Sequence, residues 1–202
     1  MAARSGSMTR SQHMTSVEEI EKAALEVIAA RGFDETTVEE LAAAAGISRR
    51  TFFRYFASKN DIPFGNFGAL LEALEEWLAA APTDRPMFEV IAEAVMHFNR
   101  VHTDGAVAHR ARMRLIMQTP SLRANAVLHQ DDWVSALARY AGRRLGASPE
   151  SFGPRLVAHI SLGAANAAYE QWLDDDRADL AELVGRAFAA VDITAITAIG
   201  RP

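Results

Sequence analysis

Cysteine is absent from the 202 residues of the sequence. The chain therefore forms no disulfide and offers no thiolate to a metal ion, which is compatible with a reducing compartment, and we expect a cytoplasmic protein. No apolar run approaches the roughly 18 residues that a membrane-spanning helix needs, and no apolar core segment follows the N-terminus. We therefore expect no membrane association and no signal peptide.

Recognisable catalytic motifs are also lacking. The sequence has no glycine-rich phosphate loop, no nucleophile elbow and no paired-carboxylate motif. Adjacent aspartates at positions 131–132 and 174–176 are more typical of solvated helix ends. His97, His102 and His109 do not have the four-residue spacing of paired zinc ligands on a helix. The sequence predicts a protein that is not an enzyme, with no metal site and no cofactor.

The composition favours helices. Half of the residues are hydrophobic, alanine is abundant, and valine, threonine and tyrosine are sparse, which is typical of an all-α protein. The length suits one or two domains with a sizeable core. A net charge of -5 argues against a protein coated with nucleic acid over its whole surface, but it permits one basic patch.

The segment from Ser48 to Lys59 reverses the acidic balance, because it contains four cations and no acid. Gly46 suits a left-handed turn after a preceding helix, and Ser48 can cap the helix that follows. At 100° per residue, one side of that helix carries Arg49, Arg50, Phe53 and Arg54. The other side carries Phe52, Tyr55 and Phe56, with Thr51 at its edge. A basic face alone is usually a solvated surface, but a short basic helix after a helix and a turn is also what a major-groove reader needs.

Two capping boxes define the helices upstream. Ser16 with Glu19 opens a helix that runs to Arg31, and Thr37 with Glu40 opens a short helix that runs to Ala45. With the basic helix they predict a three-helix, helix-turn-helix DNA-binding domain over residues 16–61. Residues 1–15 are small and polar without periodicity, and we expect a disordered tail there.

The run from Thr36 to Ser48, followed by Thr51–Phe56 and Ser58-Lys59, resembles the DNA-binding domain of TetR-family repressors. By that resemblance the base-reading residues are Arg49, Arg50, Thr51 and Phe53, and the phosphate-holding residues are Thr37, Tyr55 and Lys59. Ser48 and Arg54 complete the predicted DNA-binding set. Position 53 is often tyrosine in the family, and Phe53 has no hydroxyl for a phosphate, although its ring could touch a thymine methyl group.

Residues 62–202 are predicted to form a ligand-binding and dimerisation domain, a helical bundle that brings the total to about nine helices. Ser58 caps a long helix that we expect to run from Lys59 to about Ala80, spanning ~33 Å. Further helices are predicted over residues 87–101, 109–118, 121–145, 154–173 and 178–191. Ser161, Ala165, Ala168 and Trp172 form one stripe. Small residues suit pairing with a second copy of the chain, but alanine is also simply the best helix former. The resemblance implies that the last two helices form the dimer interface.

Three segments look like an actinobacterial TetR subgroup that includes the mycofactocin-system regulators: residues 53–63, 109–113 and 120–133. Members of that subgroup are associated with acyl-CoA-like effectors. Methionine suits variable apolar ligands, and arginine suits phosphate or carboxylate. The predicted ligand-binding residues are Phe98, His102, Arg110, Met113, Arg114, Met117, His129, Trp133, Tyr169 and Trp172. Such a stripe of methionines and aromatics is also common in an ordinary core.

These expectations combine into one function. The sequence predicts a homodimeric, ligand-responsive transcriptional repressor on a roughly palindromic double-stranded DNA operator. Its two basic helices would enter major grooves ~34–36 Å apart. An apolar or acyl-CoA-like effector would favour a state with the wrong spacing, transmitted by the helix from Lys59 to Ala80. The alternatives are a transcriptional activator on the same fold and a helical acyl-ligand-binding protein, an enzyme or a carrier, without specific DNA binding.

Overall fold

The structure, a computed structural model, describes residues 16–101 and 106–191, without the side chains of residues 98–101 and 106. Over these residues the chain forms nine α-helices and one 3₁₀ helix and has no strand, which confirms the all-α prediction. The chain divides into two compact units, Met1–Gly65 and Asn66–Pro202. The predicted tail, residues 1–15, lies outside the described residues.

The N-terminal unit contains four helical elements: α1 (Val17–Arg31), α2 (Val38–Ala44), α3 (Arg49–Tyr55) and the 3₁₀ helix (Lys59–Phe64). Both predicted capping boxes are present. The Ser16 hydroxyl accepts from the amide of Glu19 at 3.2 Å, and the Glu19 carboxylate accepts from the Ser16 amide at 2.9 Å. These reciprocal bonds satisfy free amide donors at the start of α1, so the helix begins where the sequence indicates.

A small apolar core holds these elements together. Its members are less than one-tenth exposed: Ile20, Ala24, Ile28, Phe33, Leu41, Ala42, Phe52, Phe56 and Ile62. Gly46 has φ 67° in the turn between α2 and α3, a backbone conformation that L side chains rarely adopt. The turn and the buried Phe52 together fix which face of α3 points away from the core.

The predicted continuous helix from Lys59 to Ala80 is wrong. The chain forms the 3₁₀ helix, stops at Gly65 with φ 58°, and restarts as α4 (Phe67–Ala80). Pro63 lies inside the 3₁₀ helix and has no amide hydrogen to continue an α-helical ladder. Asn66 caps α4, with its side-chain oxygen accepting from the Ala69 amide at 3.3 Å. Proline, glycine and a second cap in succession therefore break the helix.

The C-terminal unit begins with α4, and its described residues form helices joined by loops, with no strand. The other helices are α5 (Met87–Val101), α6 (Ala106–Gln118), α7 (Pro120–Leu145), α8 (Phe152–Asp174) and α9 (Leu180–Ala189). Helix α8 packs against α7 and α9. The main core includes Leu78, Ile91, Leu137, Val157 and Val184, each at most 2 % exposed. None of the described helices has the length and apolarity to cross a membrane.

The small-residue stripe of α8 faces the interior of its own chain. Ser161, Ala165, Ala168 and Trp172 are all less than one-tenth exposed. The Ser161 hydroxyl donates to the Val157 carbonyl at 2.8 Å. The stripe thus lets helices of one chain approach closely, and any pairing between two copies must use the opposite face of α8.

Candidate DNA-binding surface and effector region

Helix α3 has the two faces that its sequence predicts. Phe52 and Phe56 are buried, whereas Arg49, Arg50, Phe53 and Arg54 are exposed. Thr51 and Tyr55 lie between these extremes. Phe53 is 43 % exposed, which is unusual for a large apolar side chain. The outer face of α3 therefore presents cations beside an aromatic ring.

The three arginines of α3 differ in what holds them. Arg49 pairs with Glu39 of α2 at 3.1 Å and lies 5.4 Å from the centre of the Phe53 ring. Arg54 donates to the Tyr55 hydroxyl at 3.1 Å and lies over its ring. Within the described residues, Arg50 makes no ion pair or side-chain hydrogen bond. Arg49 and Arg54 thus have side-chain partners within the N-terminal unit, and Arg50 has none among the described residues.

The starts of α2 and α3 carry the two predicted hydroxyl contacts. The amide and the hydroxyl of Thr37 both donate to the Glu40 carboxylate at 2.9 Å. The pKa of the Glu40 carboxyl is lowered, most strongly by the hydrogen bond from the Thr37 amide, then by that from the Thr37 hydroxyl and by the neighbouring Arg31. Ser48 accepts from the amide of Thr51 at 3.1 Å, and the two hydroxyls lie 2.9 Å apart. Thr37 and Ser48 therefore act as helix caps, and both are exposed at the starts of their helices.

Lys59 has partners that the sequence did not indicate. Its ammonium donates to the carbonyls of Phe33 at 2.9 Å and Thr36 at 3.0 Å, and lies 3.5 Å from that of Asp34. The same nitrogen lies 4.6 Å from the centre of the Phe33 ring. The predicted phosphate contact is thus engaged inside the N-terminal unit.

In the C-terminal unit, two predicted ligand residues of α6 bind the end of α8 instead of projecting freely. Arg110 donates to the carbonyls of Trp172, Asp175 (3.0 Å) and Ala178 (3.3 Å). Its guanidinium lies 4.3 Å from the centre of the Trp172 ring. Arg114 donates to the carbonyl of Leu173 at 3.2 Å. We call this arrangement the α8 clasp.

Asp176 completes the α8 clasp, because its carboxylate accepts from Arg110 at 3.2 Å and from Arg114 at 3.3 Å. The last carbonyls of a helix have no partner within the helix, and cations near them are favourable. Arg110 and Arg114 are four residues apart and share one face of α6, but the sequence could not show that the end of α8 lies against that face.

A buried aromatic cluster lies beside the α8 clasp. The His109 ring lies within hydrogen-bonding distance of the Tyr169 hydroxyl, at 3.3 Å, and 5.4 Å from the Trp172 ring. Burial, with a smaller contribution from Arg112, lowers the pKa of His109 to about 4. Burial also raises the pKa of Tyr169. Both groups are therefore neutral near pH 7. The sequence prediction omitted His109 from the ligand-binding set, because its partners Tyr169 and Trp172 lie about 60 residues away in the sequence.

The other predicted ligand residues are spread along the unit. The ring of His129 lies against that of Phe67 of α4, with the centroids 4.3 Å apart and the planes tilted by 51°, and Trp133 packs against the main core. Met113 and Met117 are half-buried on α6. The side chain of Phe98 and the whole of His102 lie outside the described residues. Among the residues described, no cluster of histidine and acidic side chains could hold a metal ion.

The sequence matches two family descriptions. Residues 13–62 match "Bacterial regulatory proteins, tetR family", and residues 85–194 match "MftR C-terminal domain". Over 177 residues, the chain is 39% identical to a proposed mycofactocin biosynthesis transcriptional regulator, MftR, of Mycobacterium tuberculosis, covering 88% of this chain and 89% of the relative. The chain belongs to the TetR family of bacterial transcriptional regulators. It is therefore a DNA-binding transcriptional regulator, and members of this family are not enzymes.

Solved structures share the fold of this TetR-family regulator. FadR of Bacillus subtilis, in complex with stearoyl-CoA, superposes with a TM-score of 0.60 at 22% identity, covering 86% of this chain and 96% of that chain. FadR of Thermus thermophilus, in complex with lauroyl-CoA, gives a TM-score of 0.54 at 23% identity, covering 86% and 92%. The helical architecture predicted from the sequence, an N-terminal helix-turn-helix followed by a helical bundle, is confirmed.

Proposed function

We propose that the protein is a ligand-responsive transcriptional repressor that binds a palindromic operator as a homodimer and is released by an acyl-CoA-like effector. The observation that carries the proposal is the 39% identity to the MftR relative over nearly the whole of both chains. In this proposal the N-terminal unit is the DNA-binding domain and the C-terminal unit binds the effector and the second copy. The regulator would act in the cytoplasm, where its operator lies.

The DNA contacts follow from the exposed face of α3. Arg49 and Arg50 reach base edges, since arginine can bridge the O6 and N7 atoms of guanine. Phe53 and Thr51 contact neighbouring bases, with the Phe53 ring suited to a thymine methyl group. Phosphates bind beside Thr37, Ser48, Arg54 and Tyr55.

The homodimer is supported by two glycines inside helices. Gly163 of α8 and Gly185 of α9 are exposed, and a Cβ atom added at either would meet nothing within 4 Å. Glycine inside a helix is less stable than alanine by about 1 kcal/mol. No contact among the described residues accounts for this cost, whereas a closely approaching second copy would. The dimer interface would therefore lie on the outer faces of α8 and α9.

The effector region suits the apolar acyl chain of an acyl-CoA-like ligand. Met113, Met117 and Trp133 are only partly buried and offer adaptable apolar surface. Arg110 is engaged in the α8 clasp, so an acyl group is a better match for this region than a free carboxylate. The FadR structures of related fold, bound to stearoyl-CoA and lauroyl-CoA, point to the same ligand class.

For release, the effector must bind the DNA-incompetent state more tightly than the DNA-bound state, because equal affinity shifts no equilibrium. The structure changes how that signal would travel. It cannot pass along one rigid helix from Lys59 to Ala80, since Gly65 interrupts the chain there. The break at Gly65, whose positive φ is hard for another residue to adopt, separates the two helical segments through which the signal would pass.

Fluorescence polarisation tests the proposal. Labelled duplexes from the DNA flanking the gene should bind in preference to scrambled duplexes, and acyl-CoAs with C12 to C18 chains should release them. Free coenzyme A and a detergent of matched chain length serve as controls. Equal binding to both duplexes would favour the acyl-ligand-binding alternative. A reporter in a deletion strain distinguishes a repressor from an activator, since loss of a repressor raises expression.

A further inference from the structure

Phe53 places an aromatic ring on the DNA-binding face of α3. It is 43 % exposed, and no other large apolar side chain in the described part of the N-terminal unit reaches this exposure. Its ring packs edge-on against the buried Phe52 ring, with the centroids 5.6 Å apart and the planes at 87°. A single exposed apolar side chain is common on protein surfaces, but this one lies within the cationic face of the helix.

Arg49 lies one helical turn before Phe53, and its guanidinium carbon is 5.4 Å from the centre of the Phe53 ring. Arg49 also pairs with Glu39 at 3.1 Å, but both side chains are more than half exposed, so this ion pair is weak in water. A guanidinium has five donors, and the pair with Glu39 leaves donors for the O6 and N7 atoms of a guanine. Arg49 and Phe53 therefore present a polar and an apolar contact side by side.

These two side chains fit two neighbouring base pairs. Successive base pairs are about 3.4 Å apart, so a ring 5.4 Å from the guanidinium is within reach of the base pair next to the guanine. The apolar group that a base offers in the major groove is the C5-methyl group of thymine. 5-Methylcytosine carries a methyl group at the same carbon, whereas uracil and cytosine lack it. A ring without a hydroxyl therefore distinguishes pyrimidines by this methyl group.

We propose that Arg49 and Phe53 form one reading unit for a guanine next to a C5-methylated pyrimidine, and that 5-methylcytosine replaces thymine at that position. The inference rests on base reading by α3 in the proposed function, and it adds a base modification to which the same surface responds. Methylation of a cytosine at this position of a half-site then strengthens operator binding.

Base substitutions in the duplex test the proposal on the unmodified protein. An operator is selected from a random duplex library, and each of its thymines is replaced in turn by deoxyuridine. By fluorescence polarisation, one thymine per half-site, next to a guanine, should matter. Its replacement should weaken binding about fourfold in one half-site and about fifteenfold in both, as expected for one and two buried methyl groups. At the same position, 5-methylcytosine paired with guanine should bind about fourfold more tightly than cytosine paired with guanine.

Phe53→Ala should bind the thymine and deoxyuridine duplexes equally, and Arg54→Ala is the matched control. Arg54→Ala removes a cation from the same helix, so it should weaken binding to both duplexes and keep their ratio. If Phe53 only supported α3, Phe53→Ala would weaken binding to both duplexes and the fourfold ratio would remain, which overturns the proposal.

Equal binding of the thymine and deoxyuridine duplexes by the unmodified protein also overturns the proposal, while the selected operator would still support the repressor function. If the selection enriches no sequence, the repressor function itself is overturned, and this inference with it.

Discussion

Arg50 differs from its neighbour Arg49 in having no side-chain partner within the described residues, although both are exposed at the start of α3. Arg50→Ala should therefore weaken binding to the specific duplex by about 1–3 kcal/mol and relax base choice at one position. Random duplexes should lose less. Gel shifts on both duplexes at two salt concentrations measure this, with the exposed Arg123→Ala of α7 as control. Equal losses on both duplexes would show that Arg50 contacts only the backbone.

His109 makes the stability of the regulator depend on pH. Its pKa is about 4 in the folded chain, against an ordinary value near 6.5, chiefly because the ring is buried. Between these values the unfolded chain binds a proton that the folded chain does not. Stability is therefore fully present above about pH 6.5 and falls as the pH falls towards 4.

His109→Phe should remove most of this dependence. In the unmodified chain, protonation linked to His109 should lower the free energy of unfolding by about 2 kcal/mol when the pH falls from 7 to 5. Urea titrations at the two pH values measure the loss, and it should be much smaller in the variant. The exposed His159→Asn of α8 is the control and should keep the full dependence. An unchanged dependence in His109→Phe would mean that other groups carry it.

The α8 clasp supplies hydrogen-bond donors to the carbonyls at the end of helix α8. Arg110 is 15% exposed in its side chain and donates to carbonyls beyond the last turn of α8. Arg110→Met keeps much of the apolar stem but removes these bonds. It should lower the free energy of unfolding by about 2 kcal/mol, as expected for lost hydrogen bonds to a charged group. Arg123→Met should have no such effect.

Urea titration measures that loss, and hydrogen exchange locates it. In Arg110→Met, amides in the last turn of α8 and the loop after it should exchange faster, while those at the start of α8 should not change. Uniformly faster exchange would show global destabilisation instead. If the free energy of unfolding is unaltered, the α8 clasp is not a stabilising contact and Arg110 is available to a ligand.

Local signals were readable from the sequence, and contacts distant in sequence were not. The boxes at Ser16 and Thr37 and the two faces of α3 depend on residues within one or two helical turns, and they were predicted correctly. The helix through Gly65 was predicted wrongly, because the Ser58 cap alone does not show that Pro63, Gly65 and a second cap at Asn66 stop and restart the helix. The partners of Arg110 and Lys59 were not readable, since they lie 62–68 and 23–26 residues away.

The charge of the whole molecule restricts how it can approach DNA. A net charge of -5 repels the duplex in general, so association must use the exposed cations of α3. One such helix covers only part of an operator. Two copies, with their α3 helices in successive major grooves, double the contacts and set the spacing that a palindrome must match. Specific binding should therefore depend on the dimer.

Gly163→Ala tests the dimer, because the substitution should stabilise the protein if the position is solvated and weaken dimerisation if a second copy packs there. If the outer face of α8 were solvated, alanine would stabilise the helix by about 1 kcal/mol. If a second copy packs there, the added methyl group costs about 1–3 kcal/mol at the interface, and the dimer dissociation constant should rise about tenfold or more. Gly185→Ala of α9 should act in the same direction.

Analytical ultracentrifugation over a range of concentrations measures the dissociation constant, and Gly68→Ala is the matched control. Gly68 is also exposed inside a helix with nothing within 4 Å of an added Cβ, but it lies on α4, outside the proposed interface. Gly68→Ala should leave the dimer unchanged. Specific DNA binding by Gly163→Ala should recover at high protein concentration, since mass action restores the dimer. A stabilised Gly163→Ala with unaltered self-association would place the interface elsewhere and remove the structural argument for pairing through α8 and α9.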